Sequence, residues 1–174
     1  MKQLEEEFFK RDAFEVAPEL VGKVLSVRQP DGDYKSLRIL ETEVYCGEDD
    51  SASQARFGPG RAGALYEEGG ALYICKCDED HLLNFVTGKK DYPQAVMIRT
   101  CEGADEPGKV TAQIGISPSW SGRRLNQVPG FSVLDDGIEY DTERLPRIGI
   151  DEASAEDQDK LWRYKALTDD EEES

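Results

Sequence analysis

The spacing of apolar and polar residues predicts a chain built mainly from β-strands. Residues 23–28 and 34–45 alternate between the two kinds of residue, and Asp31-Gly32 between them supplies the positive φ of a tight hairpin turn. Residues 94–99 form a nearly continuous apolar run, which predicts a central strand. Shorter strand patterns occur at residues 71–77, 83–87, 131–134, 137–141 and 146–150.

Helical spacing is limited to short segments. Residues 2–10 place apolar side chains at helical spacing and acidic residues in the first turn, where acids favour a helix. Residues 17–21 predict a second short helix, with Pro18 near its first turn and Gly22 after its end, and residues 109–116 predict a third. Because strands dominate and hairpins outnumber crossovers, the predicted fold class is α+β with a curved, mainly antiparallel sheet.

The segment between residues 46 and 71 is rich in glycine and shows little periodicity, which predicts a long loop. Long loops inside small domains tend to be functional or disordered. Near the other end of the sequence, residues 169–173 are five consecutive acids, and we predict that residues 168–174 form a disordered acidic tail. Residues 1–167 are then predicted to form a single domain.

Charge limits the classes of function. The chain has 174 residues, with 21 Lys and Arg against 37 Asp and Glu, so its formal net charge is −16. Non-specific affinity for nucleic acid comes from Lys and Arg, so a nucleic-acid role would need a local basic patch, and non-specific DNA binding is expected to be weak. This charge also suits a very salty cytoplasm, where electrostatic fields are screened over about 3 Å near 1 M salt.

No segment approaches the roughly 18–20 apolar residues of a membrane-spanning helix, and the acidic N-terminus lacks the apolar core of a secretory signal. We therefore expect a cytoplasmic, non-secreted protein with no membrane partner, in which Cys46 and Cys101 are free thiols. Cys75 and Cys77, followed by His81, do not have the spacing of a known zinc site. A strand would place the two cysteines on one face as packing residues, so no metal is predicted.

Glu43 has the most distinctive placement of any titratable residue. Within the strand at 34–45, Glu41 and Glu43 share a face with Leu37 and Ile39. If that face is the core, two carboxylates point inward, and buried carboxylates suit general-base catalysis. Alternatively, a bulge switches the faces of the strand and both acids are solvated. The spacing leaves both interpretations open.

The same strand carries a family resemblance. Residues 39–47 read Ile-Leu-Glu-Thr-Glu-Val-Tyr-Cys-Gly and resemble the Ile-x-Glu-Thr-Glu-Ala-Tyr-x-Gly strand of the alkyladenine (3-methyladenine) DNA glycosylase family. Two later segments, 70–74 and 83–87, are similar to its recognition hairpin, so the resemblance implies a protruding hairpin. Other similar segments follow in the family's order over nearly the whole chain, at residues 8–12, 16–25, 49–53, 95–99, 107–111, 115–116, 146–150 and 162–164.

The resemblance implies a DNA glycosylase of base-excision repair, which flips an alkylated purine out of the duplex and hydrolyses its N-glycosidic bond. Glu43 matches the family's water-activating base, and Arg99 matches the arginine that helps to hold the water. Tyr45 matches an aromatic residue that stacks on the flipped base, Asn84 matches an asparagine that discriminates purines, and Tyr73 belongs to the substrate pocket. No cofactor or metal is implied, and we expect a monomer whose partner is damaged DNA.

Several positions depart from the family pattern. Gln54 stands where the family has a loop histidine that contacts the flipped nucleotide, and glutamine carries no charge. Cys75 is nearest to a pocket-wall tyrosine, and Cys77 stands at the position of the tyrosine that wedges into the duplex. Residues 78–80, directly after Cys77, are all acidic and stand where the phosphates of bound DNA would lie. The family's longer segment before residue 107 is reduced to seven residues.

Three functions are compatible with this combination of matching and departing positions. The first is a divergent 3-methyladenine DNA glycosylase. The second is an N-glycosidase for a free nucleoside or another small substrate, which needs no grip on DNA. The third is a catalytically silent, nucleic-acid-binding relative. Retention of both Glu43 and Arg99 argues against the third function, although a fold alone does not fix an activity.

Overall fold

Antiparallel strands form the centre of the molecule. A computed structural model gives the structure of residues 1–167, and the predicted acidic tail at 168–174 lies outside the described residues. The sheet of the described part has the strand order β1-β7-β2-β3-β6-β5-β4, and β9 pairs with both β3 and β8. The strands are β1 (Lys2–Gln3), β2 (Val24–Arg28), β3 (Tyr34–Cys46), β4 (Leu72–Cys77), β5 (Asp80–Val86), β6 (Gln94–Cys101), β7 (Phe131–Asp135), β8 (Thr142–Leu145) and β9 (Arg163–Ala166).

Short helices surround this sheet. Within residues 1–167 they are α1 (Glu6–Phe9), α2 (Ala13–Leu20), α3 (Pro107–Ile114) and α4 (Ala155–Asp159), and single 3₁₀ turns at Gln54–Phe57 and Gly63–Tyr66 interrupt the long loop between β3 and β4. None of the helices in this part of the chain has the length and apolar character needed to cross a bilayer. The arrangement confirms the predicted α+β class, with a mainly antiparallel sheet and short peripheral helices.

The best predicted elements are the first hairpin and the central strand. In the hairpin, Arg28 pairs with Tyr34, and Gly32 adopts a φ of +91° in the intervening turn. Strand β6 lies between β3 and β5, and its first five residues are buried, which confirms its central position. These elements follow directly from local alternation and turn chemistry.

The main core packs on one face of the sheet. Apolar side chains of β3, β4, β5 and β6 contribute to it, and Phe9 of α1 stacks on Phe85 of β5 with ring centroids 4.9 Å apart. The buried strand residues on this face include Val44, Ile74, Leu83, Val96 and Ile98. Since neighbouring residues of a strand point to opposite faces, the residues between these positions are left for the other face of the sheet.

Helix α2 begins earlier than predicted. It starts at Ala13 rather than at residue 17, because the Asp12 carboxylate accepts a hydrogen bond from the Phe14 amide and caps the helix there. Pro18 therefore lies in the helix interior rather than near its first turn, and costs one main-chain hydrogen bond. Gly22, with a φ of +94°, follows the end of the helix as predicted.

The region after residue 136 departs most from the prediction. No strand forms at residues 137–141 or 146–150, so these two predictions are wrong. The strand of this region lies between them, because residues 142–145 pair with β9 and form β8. Residues 146–150 instead turn back over β3. The helix predicted over 2–10 is restricted to Glu6–Phe9, since residues 2 and 3 pair with β7.

A buried hydrogen bond fastens α2 to the sheet and provides a test of the packing. The Thr42 hydroxyl, fully buried, donates to the Ala17 carbonyl at 2.9 Å. We expect Thr42→Val to lower the free energy of unfolding by about 1–2 kcal/mol, because the buried carbonyl loses this donor. Urea unfolding measures the change, and Thr100→Val on β6, a half-buried position, is the matched control. Equal stability of the two variants would contradict this role.

Candidate active site

A row of directly paired residues crosses the sheet on the face opposite the main core. Glu43 of β3 pairs with Met97 of β6, Met97 pairs with Asn84 of β5, and Asn84 pairs with Tyr73 of β4. Directly opposed residues of antiparallel strands project to the same face. The structure therefore brings Glu43, Asn84 and Tyr73 to one face, and Arg99 joins them because it lies two residues beyond Met97.

Strand β3 reaches this arrangement through a bulge. The pairing register of β3 with β6 shifts on both sides of Glu41, so that Ile39 and Val44 both pack in the main core. The bulge that the second interpretation required is thus present, but the expected solvation is wrong: Glu43 is 0% exposed, and Glu41 pairs with Arg163 at 2.9 Å. The bulge turns Glu43 away from the main core without exposing it to solvent.

Both oxygens of the Glu43 carboxylate are held by polar neighbours. Oε1 accepts hydrogen bonds from the Tyr45 hydroxyl at 2.9 Å and from Arg99 Nη2 at 3.1 Å. Oε2 accepts from the Ile148 amide at 2.8 Å and lies 2.8 Å from Arg99 Nε, an ion-pair contact without linear hydrogen-bond geometry. A buried carboxylate with this many donors is fixed in orientation and compensated by one cation.

Ile148 takes part in the site through its backbone alone. Its amide donates to Glu43, and its carbonyl accepts from Arg99 Nη2 at 3.1 Å, so one peptide segment bridges both members of the ion pair. The sequence analysis included residues 146–150 among the similar segments but assigned them no role. A backbone contact leaves no residue-type signal at position 148, so side-chain reasoning could not have found it.

The Tyr45 hydroxyl is directed at the Glu43 carboxylate. Burial raises the pKa of Tyr45 far above its ordinary value, and the negative charge of Glu43 raises it further, against the opposing charge of Arg99. The phenol therefore stays protonated and donates to Glu43 at neutral pH. Its ring also lies 4.9 Å from the guanidinium of Arg147.

Arg147 and Asp50 form a second buried ion pair beside the site, which the sequence analysis missed. Both side chains are 0% exposed, and two guanidinium nitrogens of Arg147 donate to the two oxygens of Asp50 at 2.8 and 3.0 Å. The same guanidinium donates to the Val44 carbonyl and lies 4.8 Å from the Trp162 ring. Arg147 thus anchors the segment whose next residue, Ile148, holds Glu43.

The far end of the row is lined by neutral groups. Asn84 Nδ2 donates to Cys75 Sγ at 3.7 Å and to the Leu82 carbonyl at 3.4 Å. Burial raises the pKa of Cys75 to about 11 and that of Tyr73 to about 12, so both stay protonated at neutral pH. Gln54 begins the 3₁₀ turn Gln54–Phe57, whose Ala55 packs in a small apolar cluster with residues of β5 and β6.

The hairpin of β4 and β5 carries Cys77 away from Glu43. Cys77 is exposed and pairs with Asp80 across a two-residue tip, Asp78-Glu79. The Asp80 carboxylate lies against Gly108 in the first turn of α3, where even a Cβ on the glycine would collide with it. Asp80, which directly follows the two tip residues, therefore faces the positive end of a helix of its own chain. In residues 1–167 no group of His, Cys, Asp and Glu side chains is arranged to hold a metal ion.

Comparisons with known proteins show which sequences this chain is similar to. The family model described as methylpurine-DNA glycosylase (MPG) matches residues 7–106. A DNA-3-methyladenine glycosylase of Arabidopsis thaliana is 34% identical over 187 residues, covering 94% of this chain and 71% of the plant protein. A protein of Sodalis glossinidius is 34% identical (94% of this chain, 96% of that one), and one of Bacillus subtilis (strain 168) is 32% identical (90% and 89%). Both bacterial proteins are named "Putative 3-methyladenine DNA glycosylase".

The fold and the site define a small α+β protein with a buried carboxylate–guanidinium pair on one face of its antiparallel sheet. The matching family model covers more than half of the chain, and the relatives match over nearly its whole length. The chain belongs to the methylpurine-DNA glycosylase family. The resemblance that began from the strand at residues 39–47 is thereby confirmed.

Proposed function

We propose that this chain is a 3-methyladenine DNA glycosylase that acts in base-excision repair on a flipped-out alkylated purine. The observation that carries the proposal is the fully buried Glu43 carboxylate held by Arg99 and by the Ile148 peptide, in a chain of this family. The direct test is release of 3-methyladenine from methylated DNA by the purified protein. Absence of release from single-stranded and duplex DNA would contradict the proposal.

In this proposal Glu43 is the general base. It takes a proton from water as the water oxygen bonds to C1′ of the flipped nucleotide. The bond from C1′ to the purine nitrogen breaks, and its electron pair neutralises the cationic base as it leaves. Arg99 orients the carboxylate and the water, and the Tyr45 hydroxyl fixes Oε1. The charge that develops on the sugar lies close to a preorganised carboxylate.

The rest of the row is proposed to bind the flipped base. Tyr73, Cys75 and Asn84 offer an uncharged surface of suitable polarity for a purine, and Gln54 can donate and accept hydrogen bonds from the neighbouring loop. Tyr45 supplies an aromatic ring next to the base. We further infer that residues 1–167 act as one glycosylase domain, as a monomer within the cell, and that damaged DNA is the partner.

The exposed Cys77 favours a second candidate function, an N-glycosidase for a free nucleoside or another small substrate. A cysteine offers little surface to fill the gap left by a flipped nucleotide, and the neighbouring tip residues are acidic. A small substrate leaves no such gap. A third function, silent binding, would leave the preorganised Glu43 site without a use.

A substitution at the hairpin tip separates the first two functions. We expect Cys77→Tyr to increase the rate on duplex DNA, because an aromatic wedge adds stacking worth about 1–3 kcal/mol. Rates on single-stranded DNA should change little, since no duplex gap needs filling there. Single-turnover base release on both substrates measures the effect, with Cys77→Ser as the matched control. Unchanged duplex rates beside efficient cleavage of a free methylated nucleoside would support the small-substrate function instead.

A further inference from the structure

Two cysteines lie two residues apart on strand β4, at the edge of the sheet. Cys75 pairs with Leu82 and Cys77 pairs with Asp80, so the two thiols project to the same face. Cys75 is half-buried and Cys77 is exposed, and neither contributes to the apolar core clusters of residues 1–167. Packing, the role expected from the sequence, therefore does not account for this pair.

The spacing of the two thiols favours a bridge longer than a disulfide. Residues i and i+2 of a strand are about 6.4–6.8 Å apart, which is the upper end of the Cα separation found across disulfides. Their side chains also stand side by side on one face, whereas a disulfide needs the two Cβ atoms to approach to about 3.5–4.5 Å. A single atom bonded to both sulfurs lengthens the bridge and removes the need to bend the strand.

The site favours an uncharged reagent that reacts with protonated thiols. Burial raises the pKa of Cys75 to about 11, the hydrogen bond from Asn84 Nδ2 at 3.7 Å lowers it, and the neighbouring Cys77 raises it further. The influence of Cys77 requires the two sulfur atoms to be close to each other. Asp78 and Glu79 follow at the hairpin tip, and their charge repels anionic reagents.

We propose that Cys75 and Cys77 form a dithiol site that binds a trivalent arsenical covalently. Sulfur is the soft donor that a soft centre of this kind prefers, and two thiols on one face supply two donors. Each arsenic–hydroxyl bond is replaced by an arsenic–sulfur bond, and the hydroxide leaves with the thiol proton as water. Arsenic stays trivalent and neither sulfur is oxidised, so the reaction needs no oxidant or reductant.

An arsenical at this site lies in the row of residues that leads to Glu43. Cys75 and Tyr73 share a face of β4, and Asn84, the partner of Tyr73, donates to the Cys75 sulfur. The bound group therefore covers the surface assigned to the flipped base and blocks base release. This blocking effect rests on the proposed function, whereas the covalent binding does not.

Retention of phenylarsine oxide by the purified full chain tests the site. Intact-protein mass spectrometry counts the bound arsenical in excess 2-mercaptoethanol, which displaces an arsenical held by one thiol but not one held by two thiols of the same molecule. We expect one phenylarsenic group on each wild-type chain, released by the dithiol 2,3-dimercaptopropanol. Cys75→Ser and Cys77→Ser should each lose it, because only one sulfur of the pair remains. Cys46→Ser, the matched control, should retain it.

Three results would overturn the dithiol site. They are loss of the arsenical from the wild type in 2-mercaptoethanol, its retention by Cys75→Ser or Cys77→Ser, and its loss from Cys46→Ser. Circular dichroism checks that each variant is folded. Since Cys77 is exposed, its replacement by serine leaves the core intact and keeps the test available if Cys75→Ser does not fold.

Base release from methylated DNA is measured in parallel, and each protein is compared with its own untreated sample. We expect the arsenical to abolish release by the wild type and by Cys46→Ser but not by Cys77→Ser. Undiminished release by a fully loaded wild type would overturn the blocking effect. An untreated wild type that releases no base but retains the arsenical would refute the glycosylase function and support the dithiol site.

Discussion

Glu43→Gln is expected to lower the rate of base release by at least about 10²-fold, the lower end of what a general base contributes. The carboxylate contacts Arg99, the Tyr45 hydroxyl and the Ile148 amide together. An amide keeps the shape of the side chain but cannot take a proton from water at neutral pH. Single-turnover release of 3-methyladenine from methylated DNA measures the loss.

Glu41→Gln is the matched control for this substitution. It makes the same chemical change two residues away on the same strand, where the carboxylate pairs with Arg163 at 2.9 Å and does not contact Arg99. We expect its rate to stay within a few-fold of wild type. Equal rates of Glu43→Gln and wild type would exclude Glu43 as the base, and an equal loss in both variants would indicate a general effect of strand β3.

Loss of the Glu43 charge will also reduce stability, and the two effects must be separated. Three neighbouring groups donate hydrogen bonds to the carboxylate. In the glutamine variant one carboxylate oxygen is replaced by an amide nitrogen, so the donors on that side lose their acceptor. The melting temperature of Glu43→Gln is therefore expected to fall. Rates are compared at a temperature where both proteins are fully folded, so that a remaining rate difference reports the chemistry.

Local patterns predicted the strands that depend on neighbouring residues in sequence. The β2–β3 hairpin and β6 follow from alternation, turn residues and apolar content, and all three strands lie where predicted. The prediction for residues 137–150 was wrong because β8 forms by pairing with β9, about twenty residues further along the chain. Its sequence alone does not show which of its residues will find that partner.

The candidate site was predicted in part. The resemblance selected Glu43 and Arg99, and the structure brings them into an ion pair. Alternation could not decide whether Glu43 is buried, because the bulge at Glu41 changes which residues share a face. Asp50 and Arg147, 97 residues apart, are both common surface residue types, so nothing in their local sequence predicts a fully buried pair.

The pair of Arg147 and Asp50 accounts for the second large effect that we expect. Arg147→Met keeps much of the side-chain volume but leaves the Asp50 carboxylate buried without its cation. Removing one partner of a buried ion pair typically costs about 3–5 kcal/mol, and we expect a loss of this size in the free energy of unfolding. Urea unfolding at neutral pH measures it.

The same substitution should slow base release in the molecules that remain folded. Arg147 anchors the segment that places the Ile148 amide on Glu43 and the Ile148 carbonyl on Arg99, so its loss releases both contacts. We expect the single-turnover rate at saturating DNA to fall while DNA affinity is retained, since Arg147 is buried and cannot reach phosphate. The effect is therefore on positioning rather than on binding.

Two further variants decide whether the pair is responsible. Arg144→Met makes the same change at an exposed arginine three residues earlier, and should cost no more than about 1 kcal/mol. Asp50→Asn combined with Arg147→Met leaves no uncompensated charge, so it should be more stable than the sum of the two single losses implies. If the single losses simply add, or if Arg144→Met costs as much as Arg147→Met, the buried pair is not what holds the Ile148 segment against Glu43.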